Sequence, residues 1–194
     1  MARTFAHSTV VELAQWASVP VINALTDWSH PCQSMADVLT IKECVGRLEG
    51  VKVAFIGDGN NVLHSLIQGC VKVGMNIFYA SPEGYRPLQS VIDEATQTAK
   101  VTGSVIKQFN NEHDAVKDAD VIYTDVWISM GQEKDEKKKK KILAKYKISR
   151  EVLNKCADNC LVMHCLPAYR GQEIDSDVMD SDRSIIFEQA ENRL

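Results

Sequence analysis

The sequence predicts an α/β protein built on a doubly wound parallel sheet. Three observations carry that expectation. From residue 51 onward, short apolar runs alternate with longer helix-like stretches, the rhythm of strands joined by right-handed crossovers. Two of those runs, 51–56 and 160–164, read as buried strands. Several unusual polar or sulfur-bearing residues fall just past the carboxyl ends of strands, where open α/β sheets bind their ligands.

Bulk properties set the limits. The chain has 194 residues, 45% of them hydrophobic, enough to bury a substantial core as one domain, or one domain with part of another. A net charge of −4 and a pI near 5.7 argue against nucleic acid or an anionic membrane as the main partner. No apolar run reaches the ~20 residues of a membrane span, and no charged-then-apolar leader opens the sequence. The cysteines (Cys32, Cys44, Cys70, Cys156, Cys160 and Cys165) are scattered through helix-like and strand-like segments. That usage suits reduced thiols in a cytosolic compartment better than a disulfide framework.

Met1-Ala-Arg-Thr-Phe5 reads as the inside of a strand. Thr9-Val-Val-Glu12 has the capping-box form, a hydroxyl followed three residues on by a carboxylate. It predicts a helix with Val10, Leu13, Ala14 and Ala17 on one apolar face. Residues 19–25 read as a short strand, and 26–33 as a polar loop. Pro31 takes the first position of a helix running to about Val45, where a missing N–H costs nothing. Further strands are expected at 51–56, 76–80, 104–109, 121–124 and 160–164. Helices are expected at 62–73, 88–102 and 111–119, with Gly74 and Gly103 closing the first two. Residues 133–147 place acids before lysines, as a helix macrodipole favours, and read as a solvated helix in preference to a nucleic-acid patch. Residues 188–194 read as a helix gathering length.

Gly57-Asp-Gly-Asn-Asn61 lies where a dinucleotide-binding fingerprint belongs, between a strand and a helix. Val62 stands in place of the third glycine, and the next strand ends in Ala80-Ser81 with no acid for a ribose hydroxyl. A nucleotide-dependent oxidoreductase is therefore disfavoured. Asn60 and Asn61 suit either helix capping or a grip on a carboxylate. Asp125 falls at the end of a buried strand, where a carboxylate must be hydrogen-bonded or paired with a cation. His30-Pro-Cys-Gln33 offers an imidazole and an amide at a helix start, donors suited to a carbonyl or phosphate oxygen. The strand at 160–164 stops at Pro167 and leaves Cys165 and Leu166 at its carboxyl end. Cys156, Cys160, His164 and Cys165 lack the paired spacing of zinc sites, and neighbours on a strand point to opposite faces; a metal site is disfavoured. Cys44, Cys70, Cys156 and Cys160 read as small hydrophobes, and His7, His64 and His113 as surface or core positions.

Taken together, Ala2-Arg-Thr-Phe5, His30-Pro-Cys-Gln33, Gly57-Asp-Gly-Asn-Asn61, Asp125-Val-Trp-Ile-Ser-Met-Gly131, His164-Cys-Leu-Pro167 and Glu191-Asn-Arg193 resemble the ornithine carbamoyltransferases, in that family's order and from end to end. The Ser-Met-Gly and His-Cys-Leu-Pro pair is the specific part, because aspartate-specific relatives differ at both. The resemblance implies transfer of a carbamoyl group from carbamoyl phosphate to the side-chain amine of L-ornithine, giving citrulline and phosphate, with neither metal nor organic cofactor. It implies carbamoyl phosphate contacts at Arg3, His30 and Gln33, and ornithine contacts at Asn61, Asp125, Ser129 and Met130. Cys165 and the Leu166 carbonyl would face the reacting centre, the Leu166–Pro167 bond would be cis, and Arg193 would hold the carbamoyl group. Asp125, Cys165 and Arg193 are the expected catalytic residues.

By the same resemblance, residues 1–34 are the tail of a carbamoyl phosphate-binding domain and 35–194 an ornithine-binding domain. The family's Ser-Thr-Arg-Thr phosphate loop and its carboxyl-terminal helix have no counterpart in the sequence, so the isolated chain is expected to make little citrulline. A non-catalytic module that binds ornithine or a similar amino acid, or a partner subunit, is the competing reading. The family also implies a homotrimer, in the cytoplasm or, in a eukaryote, the mitochondrial matrix.

The chemistry makes its own demand. An alkyl ammonium with a pKa near ~10.4 costs about 4.6 kcal/mol to present neutral at pH 7. A site must desolvate it or supply an acceptor for its proton, and Asp125 with Cys165 beside it suits that task. Charge developing at the carbamoyl oxygen falls to Arg3, His30 and Arg193.

Overall fold

The computed structural model describes residues 1–128 and 136–194. In chain order the elements are β1 (Ala2–Arg3), α1 (His7–Trp16), β2 (Asn23–Leu25), α2 (Pro31–Val45), β3 (Lys52–Ile56), α3 (Asn61–Lys72), β4 (Asn76–Ala80) and α4 (Gln89–Thr102). They continue with β5 (Ile106–Phe109), α5 (Glu112–Val116), β6 (Val121–Thr124), α6 (Glu136–Leu143), α7 (Arg150–Leu153), β7 (Leu161–His164), α8 (Ser176–Met179) and α9 (Ile186–Glu191). The short helices α7 and α8 were not expected from the sequence.

Five strands form one sheet in the order β5-β4-β3-β6-β7, and β1 pairs with β2 in a separate two-stranded sheet. Every pairing in the large sheet is parallel, as the strand–helix alternation predicts. Because successive side chains point to opposite faces, the apolar strands feed two cores. Val53, Phe55, Ile77, Tyr79, Val121, Tyr123 and Met163 face the helices α3 and α4 on one side. Ala54, Ile56, Ala80, Ile122 and Val162 pack on the other against Ala115, Val116, Val152, Leu153 and Val178. From β3 the chain winds outward one way to β4 and β5, then the other way to β6 and β7. The gap between the carboxyl ends of β3 and β6 is thus the switch point where a doubly wound sheet opens a crevice.

Local chemistry explains most boundaries. Pro31 opens α2 with His30 at its N-cap, and Gly46 closes it at φ 83°. The Asn60 side chain caps α3 by accepting from the N–H groups of Val62 and Leu63. Gly103 ends α4 at φ 78°.

Four expectations are corrected. The Thr9–Glu12 capping box does not start α1; the helix begins at His7 with Ala6 at the N-cap and no capping side chain of its own. The His7 N–H is met instead by Asp27 Oδ1, at 2.9 Å, from a loop 20 residues on. Of the apolar face predicted for α1, only Val10 is buried, and residues 19–22 lie outside any strand. The solvated reading of the lysine run fails at one residue. Lys139 on α6 is only 5% exposed and donates to Asp58 at 2.6 Å, while residues 133–135 of that run lie outside the described residues. No described helix is long and apolar enough to cross a membrane.

Gly59 is where the loop after β3 comes closest to another segment. A Cβ added there would overlap the backbone of Arg86 and Pro87, and the Gly59 N–H donates to the Tyr85 carbonyl at 2.7 Å. Gly59→Ala should therefore destabilise the fold by about 2 kcal/mol through forced separation of the two loops. Chemical denaturation measures this directly; an unchanged midpoint would contradict the packing.

Candidate active site

Side chains from the loops after β3, β6 and β7 meet at the switch point. The Thr124 hydroxyl, the last on β6, donates to the Ile56 carbonyl at 2.7 Å and ties the ends of the two central strands together. The next residue, Asp125, is buried and, among the described residues, accepts hydrogen bonds from Asn60 Nδ2 at 2.6 Å, the Cys165 thiol at 2.8 Å and the Val126 N–H at 2.7 Å. Asn60 therefore caps α3 with its oxygen and donates from its nitrogen to a carboxylate of the protein itself. Asn61 points elsewhere, its Nδ2 donating to the Thr26 carbonyl at 2.7 Å.

Burial, and then the neighbouring Asp125 charge, push the Cys165 thiol well above its ordinary pKa. It is a proton donor to Asp125, so of the pair the carboxylate is the acceptor and the sulfur is not. After Cys165 the chain turns through Leu166 at φ 57°, and the Leu166–Pro167 bond is cis as expected. The Leu166 N–H is accepted by His164 Nδ1 at 2.9 Å, which leaves the ring proton on Nε2, 3.1 Å from the buried Glu173.

The opposite-face argument against His164 and Cys165 sharing a site fails. One ligand atom from each of Asp125, His164 and Cys165 lies within 4.8 Å of the others. Cys165 sits past the end of β7, where the pleat no longer dictates direction. Both His164 nitrogens already have partners.

The remaining predicted residues gather around the same opening. Arg3, His30, Gln33, Asn61, Asp125, Cys165, Leu166 and Arg193 line one cavity of about 960 Å³, so residues almost the length of the chain apart share a wall. Ser129 and Met130 lie outside the described residues. His30 Nδ1 accepts the Gln33 N–H at 3.4 Å, which leaves its proton on Nε2. Burial first, then Arg3 and Arg193, lower the His30 pKa from 6.5 to about 4; the ring is neutral and still a donor. Gln33 Oε1 accepts from Arg193 at 3.2 Å.

Several residues beside the cavity went unread in the sequence. Asp58 lines it and pairs with Lys139; burial raises the Asp58 pKa against the opposing pull of Lys139. Behind Gln33 lies Asp37, fully buried on α2. Gln33, Ser34, Asp37 and Thr40 make the covered face of that helix largely polar, so a search for apolar periodicity passes over it. The one available signal was the Gln33–Asp37 spacing of four residues, a single helical turn.

A family model described as the aspartate/ornithine carbamoyltransferase Asp/Orn binding domain matches residues 49–194. The chain belongs to the aspartate/ornithine carbamoyltransferase family. The model of that family's carbamoyl-P binding domain matches residues 1–43. The chain is 50% identical to ornithine carbamoyltransferase of Thermococcus kodakarensis over 194 residues, covering all of this chain and 62% of that protein. It is 51% identical to the enzyme of that name from Methanosphaera stadtmanae, covering 64% of it. The solved ornithine carbamoyltransferase of Pyrococcus furiosus superposes with a TM-score of 0.96 at 48% identity, over all of this chain and 62% of that one. This carbamoyltransferase-family chain thus spans a little under two thirds of the length of those relatives.

Two buried groups make stability depend on pH in opposite senses. His30 takes a proton near 6.5 when unfolded and near 4 when folded, so its contribution is full above 6.5 and is lost as pH falls through about 4. Asp37 is raised by burial from 3.8 to about 7 against hydrogen bonds from Gln33, Gln189 and Tyr123. Its contribution is full below 3.8 and is lost as pH rises through about 7. Relative to wild type, Asp37→Asn should gain melting temperature as pH rises from 4 to 8, and His30→Asn should gain it as pH falls from 6.5 to 4. Thermal melts across that range check both; offsets that stay constant with pH would contradict the assignment.

Proposed function

We propose that this chain is the ornithine-binding part of an ornithine carbamoyltransferase, with residues 1–34 as the tail of its carbamoyl phosphate-binding domain and residues 35–194 as the ornithine-binding domain. One observation carries the reading most: the Cys165 thiol and the Asp125 carboxylate meet at 2.8 Å in a cavity also lined by His30, Gln33, Arg3 and Arg193. The opening is lined both by an anion held by neutral donors and by the guanidinium groups of Arg3 and Arg193. A substrate with an ammonium suits the first and a partner with an anionic phosphate the second.

In the proposed reaction the ornithine ammonium enters beside Asp125, which holds it by charge and accepts its proton. Cys165, as a thiol donating to that carboxylate, orients it. The freed amine forms a bond to the carbamoyl carbon as the carbon–oxygen bond to phosphate breaks, and the second amine proton passes to the departing phosphate oxygen, giving citrulline and phosphate. The His30 Nε2–H and the guanidinium groups of Arg3 and Arg193 face the oxygen on which charge develops, and such donors work best when fixed beforehand in a water-poor site. Asn61 contributes to ornithine binding from the start of α3, as do Ser129 and Met130. The Leu166 carbonyl and Gln33 accept from the carbamoyl nitrogen. The reading extends to a homotrimer in the cytoplasm, or in the mitochondrial matrix of a eukaryote, on the family resemblance alone.

Asp125→Asn should weaken ornithine binding at least about a hundredfold, the scale of a buried charge partner lost, while the thermal melt stays cooperative. Isothermal titration with ornithine measures it, and an affinity equal to wild type would remove Asp125 from the site.

A further inference from the structure

Asp37 is a fully buried carboxyl group on the far side of Gln33 from the cavity. Its Oδ1 accepts from Gln33 Nε2 at 2.9 Å and from Gln189 Nε2 at 2.7 Å. The Tyr123 hydroxyl approaches both carboxyl oxygens, at 3.4 and 3.3 Å. Each glutamine has its oxygen engaged at the opposite end. Gln33 Oε1 accepts from Arg193 at the cavity wall, and Gln189 Oε1 accepts the His164 N–H at 2.9 Å, one residue before Cys165.

A glutamine amide is nearly isosteric with its flipped form, so its neighbours decide which end points where. A carboxyl oxygen that receives two NH₂ groups admits one answer: both nitrogens face inward and both oxygens face outward. Gln33 is 1% exposed, so its amide cannot turn over freely to find water. The oxygen it shows the cavity has two lone pairs and Arg193 takes one, leaving an acceptor for a ligand donor.

We propose that Asp37 is a positioning residue that sets the polarity of Gln33, so that the cavity presents an acceptor to the terminal –NH₂ of a carbamoyl group and discriminates against acyl groups ending in methyl. This rests on the reading of the cavity as a carbamoyl-transfer site and deepens it. Asp37 touches no substrate. It acts through Gln33 and, by way of Gln189 and the His164 backbone, holds the end of β7 to the same oxygen.

Two probes that differ at the relevant atom are L-citrulline, which ends in –NH₂, and Nδ-acetyl-L-ornithine, which ends in –CH₃. Isothermal titration of each, with ornithine as a third ligand lacking any acyl group, gives the ratio that decides. Wild type should favour citrulline by about tenfold, the scale of one well-made hydrogen bond refused by the analogue. Asp37→Asn keeps an oxygen at the shared position and should keep that ratio. Asp37→Leu removes the acceptor and should bring the ratio to about one while ornithine affinity stays within about threefold, because a merely structural loss would weaken all three ligands together.

An undiminished ratio in Asp37→Leu with ornithine still bound overturns the role of Asp37 alone, and so does a lost ratio in Asp37→Asn. Wild type that binds neither ornithine nor citrulline overturns the reading of the cavity and this role with it. Should Asp37→Leu lack a cooperative melt, hydrogen exchange of the Gln33 side-chain NH₂ in wild type decides. Held against Asp37, it should exchange at least about tenfold more slowly than exposed glutamines; exchange at their rate overturns the proposal.

Discussion

The arrangement depends on one carboxylate held between strands that are not neighbours in sequence. Asp125 accepts from Asn60 after β3 and from Cys165 after β7, and both bonds require β6 to lie between those strands. A different strand order would leave Asp125 buried without those donors, at a cost of several kcal/mol for an unpaired charge. Topology and site are therefore one constraint seen at two scales. The Thr124 hydroxyl, bonded to the Ile56 carbonyl, fixes the relative height of the two central strand ends and so the distance Asn60 must span.

The surroundings of that carboxylate form a graded electrostatic field. Neutral donors, an amide and a thiol, hold Asp125, whereas Arg3, Arg193 and the neutral imidazole of His30 line the same cavity. A second carboxylate, Asp58, has its own cation in Lys139. Among the described residues the hydrogen bonds that Asp125 accepts come from neutral groups, so a ligand cation there displaces no bonded cation of those residues.

Much of this was legible in the sequence because it depends on local rules. Strand–helix alternation gave the parallel sheet, Pro31 and Gly103 gave helix ends, and Asp125 and Cys165 stood out by sitting past apolar runs. What escaped were features set by contacts distant in sequence. The start of α1 is fixed by Asp27 from another loop, which no capping pattern near Thr9 could reveal. Cys165 comes within reach of His164 because it already lies past the last residue of β7, beyond the reach of a pleat argument. Asp37 was hidden because the covered side of α2 is polar. Its partners Gln189 and Tyr123 come from α9 and β6.

Lys139 illustrates how folding makes unequal members out of a run of identical residues. On paper Lys137 to Lys141 are five interchangeable cations, yet the fold tucks one beneath the Tyr85 ring and against Asp58 while Lys137, Lys138 and Lys141 stay at the surface. Acylating reagents that titrate superficial amines would tag those neighbours readily and spare the tucked member. A homopolymeric tract can thus contain a structural anchor that only its reactivity betrays.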